Sequence, residues 1–333
     1  MTVGSSNLKT SATSATVVQL RSDGSLRHLL NLEGLPRATL EQLLTRAAYF
    51  LRALAAPPAR NTALAGITVV NLFSEPSTRT RFSFELAALR LGADVSIVEV
   101  ELSSRLKGES MLDTIATLEA MHVDIFVVRD AQEEVPNLVA ANIAPYVSVL
   151  SAGAGSYSHP TQGLLDALTV IQRKGRIEDL SIAIVGDVRH SRVARSAWHA
   201  FSILGAKDLR LVAPNALMPN SNEFEGCARY SNLNQGIKDC DVVMMLRVQK
   251  ERMTAAAISS DEEYFSEWGL SQARLSHARA DAIVMHPGPM NRGIEIASDV
   301  ADGVQSVIRD QVRNGVAVRM AVLETVILTR PRL

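Results

Sequence analysis

Residues 67–81 read Ile67-Thr68-Val69-Val70-Asn71-Leu72-Phe73-Ser74-Glu75-Pro76-Ser77-Thr78-Arg79-Thr80-Arg81. This strand-length apolar run gives way to hydroxyl side chains and then to the helical pattern Phe82 to Leu91. A strand that becomes a helix in this way aims several backbone N–H groups, the positive end of the helix dipole and at least one guanidinium at one place. The stretch therefore reads as an anion trap. Phosphate suits it better than a carboxylate does, because three terminal oxygens each accept two or more donors. Taken alone, Ser77 to Arg81 serves equally well as a helix cap with solvated arginines, so the rest of the chain has to decide.

Outward from that stretch, strand-like runs alternate with helical periodicity. The strands expected are Ile67–Phe73, Val95–Val100, Ile125–Val128, Val147–Leu150, Ile182–Val185, Leu209–Val212, Val242–Leu246 and Ala282–Met285. Helical spacing is expected between them at Phe82–Leu91, Met111–Met121, Gly163–Arg173 and Arg192–Leu204 among others, and again over Gly303 to Leu328. Such alternation implies an α/β chain with parallel sheets covered by helices, and sites in such sheets collect at the carboxyl ends of strands. The length of 333 residues favours two domains. The small-residue run Ser151-Ala152-Gly153-Ala154-Gly155-Ser156 is expected to hinge them, with the last helix returning to the first unit. The division expected is 25–152 plus 303–333 against 153–302. Residues 1–24, rich in Ser and Thr, read as a disordered extension.

Composition narrows the function. With 34 basic and 35 acidic residues the formal charge is −1, so nothing global points to nucleic acid or to an acidic membrane surface, and any basic site is local. Cys227 and Cys240 are the only cysteines and are not in a metal-ligand spacing, which fits a reducing, cytoplasmic setting without a structural metal. No apolar run approaches the roughly 20 residues of a membrane span.

The polar residues just past the strand ends form a set. Arg129 follows Ile125–Val128, His159-Pro160-Thr161-Gln162 precedes the helix at Gly163, Arg247 and Gln249 follow Val242–Leu246, and His286-Pro287-Gly288-Pro289 follows Ile283-Val284-Met285. Together they bring several cations and donors to one edge of the sheets. Ile184-Val185-Gly186-Asp187 resembles the start of a dinucleotide-binding turn, but the later glycines are missing, which argues against a nicotinamide enzyme.

Ser77-Thr78-Arg79-Thr80-Arg81 with His159-Pro160-Thr161-Gln162 resembles the carbamoyltransferases. Arg247-Val248-Gln249-Lys250-Glu251-Arg252 with His286-Pro287-Gly288-Pro289-Met290-Asn291-Arg292-Gly293 looks like the aspartate branch of that family. The resemblance spans residues 25 to 330 or so. It implies two domains, each a parallel β-sheet flanked by helices, and transfer of a carbamoyl group from carbamoyl phosphate to L-aspartate in pyrimidine synthesis.

By the same resemblance, Ser77, Thr78, Arg79 and Thr80 hold the phosphate, and Arg129, His159 and Thr80 bond the carbonyl oxygen. Gln162 takes the carbamoyl NH₂, Gly288 and Pro289 complete that pocket, and Arg192, Arg247 and Gln249 take the two aspartate carboxylates. The implied catalytic residues are Arg79, Thr80, Arg129 and His159.

Ser103-Ser104-Arg105-Leu106-Lys107-Gly108-Glu109 resembles the family loop that enters a neighbouring subunit's site, which implies a homotrimer with shared active sites and Ser103 and Lys107 as contacts. The extended start together with Leu26-Arg27-His28-Leu29-Leu30 resembles longer bacterial chains that assemble with a dihydroorotase-like protein. Carbamoyl phosphate is already activated, so no cofactor, metal or covalent intermediate is expected. The alternatives are an ornithine or other amino-acid carbamoyltransferase and a non-catalytic anion-binding module.

Overall fold

The computed structural model describes residues 19–55, 61–99, 110–220, 223–249 and 260–330. Two parallel sheets organise them. The first has strands β1 (Thr68–Phe73), β2 (Asp94–Glu99), β3 (Ile125–Asp130) and β4 (Ser148–Ala154) in the order β2-β1-β3-β4. The second has β5 (Ser181–Val185), β6 (Asp208–Val212), β7 (Ala228–Tyr230), β8 (Val242–Met245) and β9 (Ile283–Met285) in the order β7-β6-β5-β8-β9. Strands β3, β4 and β8 are buried along their whole length, as strands of parallel sheets covered on both faces are.

Helices α1 (Arg37–Ala55), α2 (Thr78–Arg90), α3 (Met111–Ala120) and α4 (Val135–Ala141) accompany the first sheet. Helices α5 (Pro160–Lys174), α6 (Arg192–Ile203), α7 (Leu233–Gly236), α8 (Asp261–Trp268), α9 (Gln272–Leu275), α10 (Ser298–Ala301) and α11 (Ile308–Leu328) follow. Pro160 opens α5, where its missing N–H is harmless, and Gly175 closes it at φ 84°. Helix α11 returns to pack on α1, α2 and α5, so α5 and α11 carry the chain out of the first sheet and back to it.

Strand order reverses between β1 and β3 in the first sheet and between β5 and β8 in the second. Open parallel sheets bind ligands at the carboxyl ends of strands at such switch points. The segments leaving those four strands begin at Ser74, Ala131, Gly186 and Leu246, which places Ser77–Arg81 and Arg247–Gln249 at the switch points and the segments after β4 and β9 beside them.

Helices α5 and α6 meet at Gly163, where an added Cβ would lie 2.4 Å from the carbonyl oxygen of Ser196. Backbone cannot retreat cheaply at such a contact. Gly163→Ala is expected to lower stability by about 1–3 kcal/mol, overriding alanine's advantage of about 1 kcal/mol in helix propensity. Urea unfolding midpoints check this, and an unchanged or raised midpoint would contradict it.

Several expectations need correction. The small-residue run 151–156 is largely β4, and it is small because arginines lie against it. A Cβ on Gly153 would sit 3.2 Å from the guanidinium atoms of both Arg129 and Arg192. Arg129 itself is inside β3, opposite Gly153, rather than beyond the strand. The last helix starts at Ile308, not Gly303, because residues 305–307 run alongside β9, with Val284 donating to Gln305 O and Val307 donating to Val284 O.

The first residues are also more ordered than expected. Residues 19–24 are folded: Gln19 Oε1 accepts from the backbone N–H of Leu30 at 2.6 Å, and Arg21 donates to Leu26 O at 2.6 Å and to Thr329 Oγ1 at 3.0 Å. Residues 1–18 lie outside the described residues. The exposed edge strand β7 has no apolar run to announce it.

Candidate active site

The carboxyl ends of both sheets face one cleft of about 590 Å³. Ser77, Thr78, Arg79, Thr80, Arg129, His159, Gln162, Arg192, Arg247, Gln249, Gly288 and Pro289 all line it. Ser103 and Lys107, expected from a neighbouring subunit, lie outside the described residues. Among the described residues, the lining side chains include five arginines and no carboxylate. That arrangement suits a polyanion.

Ser77 stands at the N-cap of α2, yet its side chain makes no capping hydrogen bond there. The first N–H groups of α2 are thus left without the usual side-chain acceptor, as an anion site requires. Across the cleft, the Gly288 backbone approaches the Arg79 guanidinium so closely that a Cβ would lie 3.4 Å from Arg79 Cζ. Gly288 also adopts φ 66°, a conformation that other residues take reluctantly.

Glu75 Oε2 binds Arg129 Nε at 3.0 Å and Arg192 Nη1 at 3.1 Å. Arg129 Nη1 also donates to Ala152 O at 3.1 Å, and Arg192 Nη1 donates to Gly155 O at 3.0 Å. One carboxylate oxygen and two carbonyls of the β4 segment therefore fix two guanidiniums whose mutual repulsion would otherwise spread them.

His159 caps the start of α5, and its backbone N–H donates to Ser196 Oγ at 2.8 Å. Its Nδ1 has no hydrogen-bond partner among the described residues. Burial, and then the nearby charges of Arg129, Arg319 and Arg192, hold the imidazole well below its ordinary pKa, so it is neutral at pH 7. A neutral ring donates one hydrogen bond without adding a sixth cation.

In the other half of the cleft, Gln249 is anchored through Nε2 to His190 O at 3.1 Å and through its backbone N–H to Asp187 Oδ2 at 3.3 Å. Asp187 also accepts at Oδ1 from the His190 ring at 2.8 Å.

Residues 27–172 match the family model for the carbamoyl-P binding domain of aspartate/ornithine carbamoyltransferase, and residues 178–326 match the model for its Asp/Orn binding domain. The chain belongs to the aspartate/ornithine carbamoyltransferase family. Among solved structures it is similar to aspartate transcarbamoylase from Trypanosoma cruzi in complex with N-(phosphonacetyl)-L-aspartic acid. That match has 32% identity and a TM-score of 0.82, covering 90% of this chain and 95% of that one. The same protein with carbamoyl aspartate and phosphate matches at 31% identity and a TM-score of 0.81, covering 90% and 95%. Ornithine carbamoyltransferase from Pyrococcus furiosus matches at 28% identity and a TM-score of 0.80, covering 92% and 98%.

The sequence reading missed several residues of this carbamoyltransferase cleft. Glu75 lies inside the quoted stretch, but its role appears only when β3 brings Arg129 beside it. Gln311, Gly315 and Arg319 line the cleft from α11 at a spacing of four, a stripe that the sequence does contain. Arg319 is buried, stacks over the Phe84 ring at 4.9 Å, and is pushed down to about 9 by burial and by Arg129. Burial pushes the thiols of Cys227 and Cys240 up to about 11, far from a nucleophile's range.

The buried histidines set the acid limit. Burial holds His28 down to about 3 and lowers His159 and His199, so below pH 6.5 the unfolded chain takes up protons at these positions that the folded chain refuses. Asp166, raised to about 7 by burial, and Asp187, raised for the same reason, act oppositely, because the folded chain keeps their protons. His28 and His159 together outweigh Asp166, so the unfolded state binds more protons and stability should fall from pH 6 toward 4.5. Urea midpoints across that range test the sign; a rise on acidification would refute it.

Proposed function

We propose that the chain transfers the carbamoyl group of carbamoyl phosphate to the amine of L-aspartate, giving N-carbamoyl-L-aspartate and phosphate. The observation that carries this reading is the meeting of Arg79, Arg129, His159, Gln162, Arg192 and Arg247 in one cleft between opposed sheet edges. In the reaction the aspartate amine forms a bond to the carbonyl carbon, the bond from that carbon to the phosphate oxygen breaks, and the amine gives up a proton. Charge grows first on the carbonyl oxygen and then on the departing phosphate. Both are met by cations and donors already fixed in place, so catalysis is positioning and electrostatic stabilisation.

In this reading the first sheet with the returning α11 is the donor half. Ser77, Thr78, Arg79 and Thr80 hold the phosphate, Thr80, Arg129 and His159 bond the carbonyl oxygen, Gln162 accepts from the carbamoyl NH₂, and Gly288-Pro289 closes the pocket. The second sheet is the acceptor half, where Arg192, Arg247 and Gln249 receive the two carboxylates.

The proposal extends to a cytoplasmic homotrimer whose neighbouring subunit supplies Ser103 and Lys107, and to a larger assembly with a dihydroorotase-like partner. Among the described residues no helix is long and apolar enough to cross a membrane.

The test incubates the purified full chain with carbamoyl phosphate and L-aspartate and follows phosphate and carbamoyl aspartate together, alongside a native mass measurement. Stoichiometric formation of both products is expected. Tight anion binding without product would instead favour a binding module, and an active monomer would end the shared-site arrangement.

A further inference from the structure

Two glutamines that line the cleft share a single acceptor. Asp166, one turn along α5 from Gln162, is 0% exposed. Its Oδ1 accepts from Gln162 Nε2 at 2.9 Å and from Gln311 Nε2, on α11, at 2.8 Å. A carboxyl oxygen of this kind only accepts, so both amides turn their NH₂ groups toward it. The carbonyl end of Gln162 is the end left for a ligand, and a carbonyl is what a carbamoyl NH₂ needs to meet.

The other amide reaches the opposite wall. Gln311 Oε1 accepts from the backbone N–H of His286 at 2.9 Å, and His286 Nδ1 accepts from Gly288 N–H at 2.9 Å. With Nδ1 accepting, the ring proton sits on Nε2 and is donated to Glu295 Oε1 at 3.1 Å. The 286–289 segment is therefore tied through Gln311 to the same carboxyl that orients Gln162. Asp166 Oδ2 has no partner among the described residues. When Asp166 is protonated, a proton on Oδ2 leaves Oδ1 able to accept both amides.

We propose that Asp166 is a positioning residue for carbamoyl transfer: it sets which end of Gln162 faces the carbamoyl group and, through Gln311, registers the Gly288-Pro289 wall on the same point. The inference rests on the carbamoyl-transfer reading and names a residue that touches no substrate.

Asp166→Leu keeps the approximate shape but removes the shared acceptor, so neither the Gln162 nor the Gln311 amide is held in its orientation. The expected result is a fall of about 10- to 100-fold in kcat/KM for carbamoyl phosphate, with a smaller change in KM for aspartate at saturating carbamoyl phosphate. A double-mutant cycle separates positioning from mere structural support. In a Gln162→Ala background the Asp166→Leu loss should shrink to a few-fold, whereas fully additive losses would overturn the proposal.

Should Asp166→Leu fail to fold, Gln311→Ala carries the test, because it cuts the tether to His286 and leaves the Gln162–Asp166 bond. A several-fold loss in kcat/KM for carbamoyl phosphate is expected in protein that remains folded at the assay temperature. Unchanged kinetics would overturn the link to the 286–289 wall. Wild-type chain in the same assay keeps the two levels apart: no product from wild type ends the functional reading, whereas active wild type with additive losses ends only the role of Asp166.

Discussion

Arg129→Ala is expected to lower kcat by about 10²- to 10³-fold, with a much smaller effect on KM for carbamoyl phosphate, because in the proposed mechanism the guanidinium meets charge that appears only as the carbonyl carbon is attacked. Its placement is rigid: it stands in β3 opposite Gly153, clamped between Ala152 O and Glu75, and is 9% exposed. A group held this firmly need not reorganise when the oxyanion forms, which is the condition under which a single donor supplies about 3–4 kcal/mol.

Removing Arg129 also leaves Glu75 Oε2 bound to Arg192, so Arg192 should be drawn further toward Glu75 and aspartate binding should weaken by a few-fold. Arg129→Lys restores the charge without the planar fork and should recover only part of the loss. Steady-state kinetics on folded protein decide the matter, and a kcat within a few-fold of wild type for Arg129→Ala would remove it from the reaction.

How much of this was readable in the chain depends on distance along it. β1 and the start of α2 were legible because a buried parallel strand announces itself by composition and the hydroxyl-rich turn follows directly. The same held for Arg247 and Gln249 after β8. What composition and spacing alone did not reveal was the meeting of two switch points, since strand order is a property of crossovers rather than of any single run. Glu75 shows the limit well: nothing local distinguishes it from a solvated glutamate until Arg129 and Arg192, at 54 and 117 residues' remove, close on one of its oxygens.

The small residues at 151–154 misled for a related reason. Smallness signals either a flexible linker or close approach, and here the approaching groups come from β3 and α6. His159 was legible as a site residue, but its neutrality was not, because that depends on burial and on three arginines gathered from three elements.

L-Ornithine is expected to be carbamoylated at least about 10³-fold less efficiently than L-aspartate, measured as kcat/KM. Whichever of ornithine's two amines attacks, the other remains an ammonium in a cleft whose described lining residues include Arg192 and Arg247 and no carboxylate. An ammonium about 4 Å from a guanidinium is repelled by about 4 kcal/mol at an effective dielectric near 20. Ornithine also forgoes the charge-assisted bonds of aspartate's second carboxylate, worth about 1.5–3 kcal/mol.

Either term alone gives a discrimination of tenfold or more, and together they exceed three orders of magnitude. Glu75 does not rescue the ammonium, because its Oε2 is held between two arginines and leaving them would expose their repulsion. Arg247→Ala should therefore raise KM for aspartate by about 10²-fold while leaving carbamoyl phosphate affinity within a few-fold, and it should narrow the gap between the two acceptors. If wild type used the two acceptors within tenfold of each other, the second sheet would not be a dianion site and Arg247 would need another role.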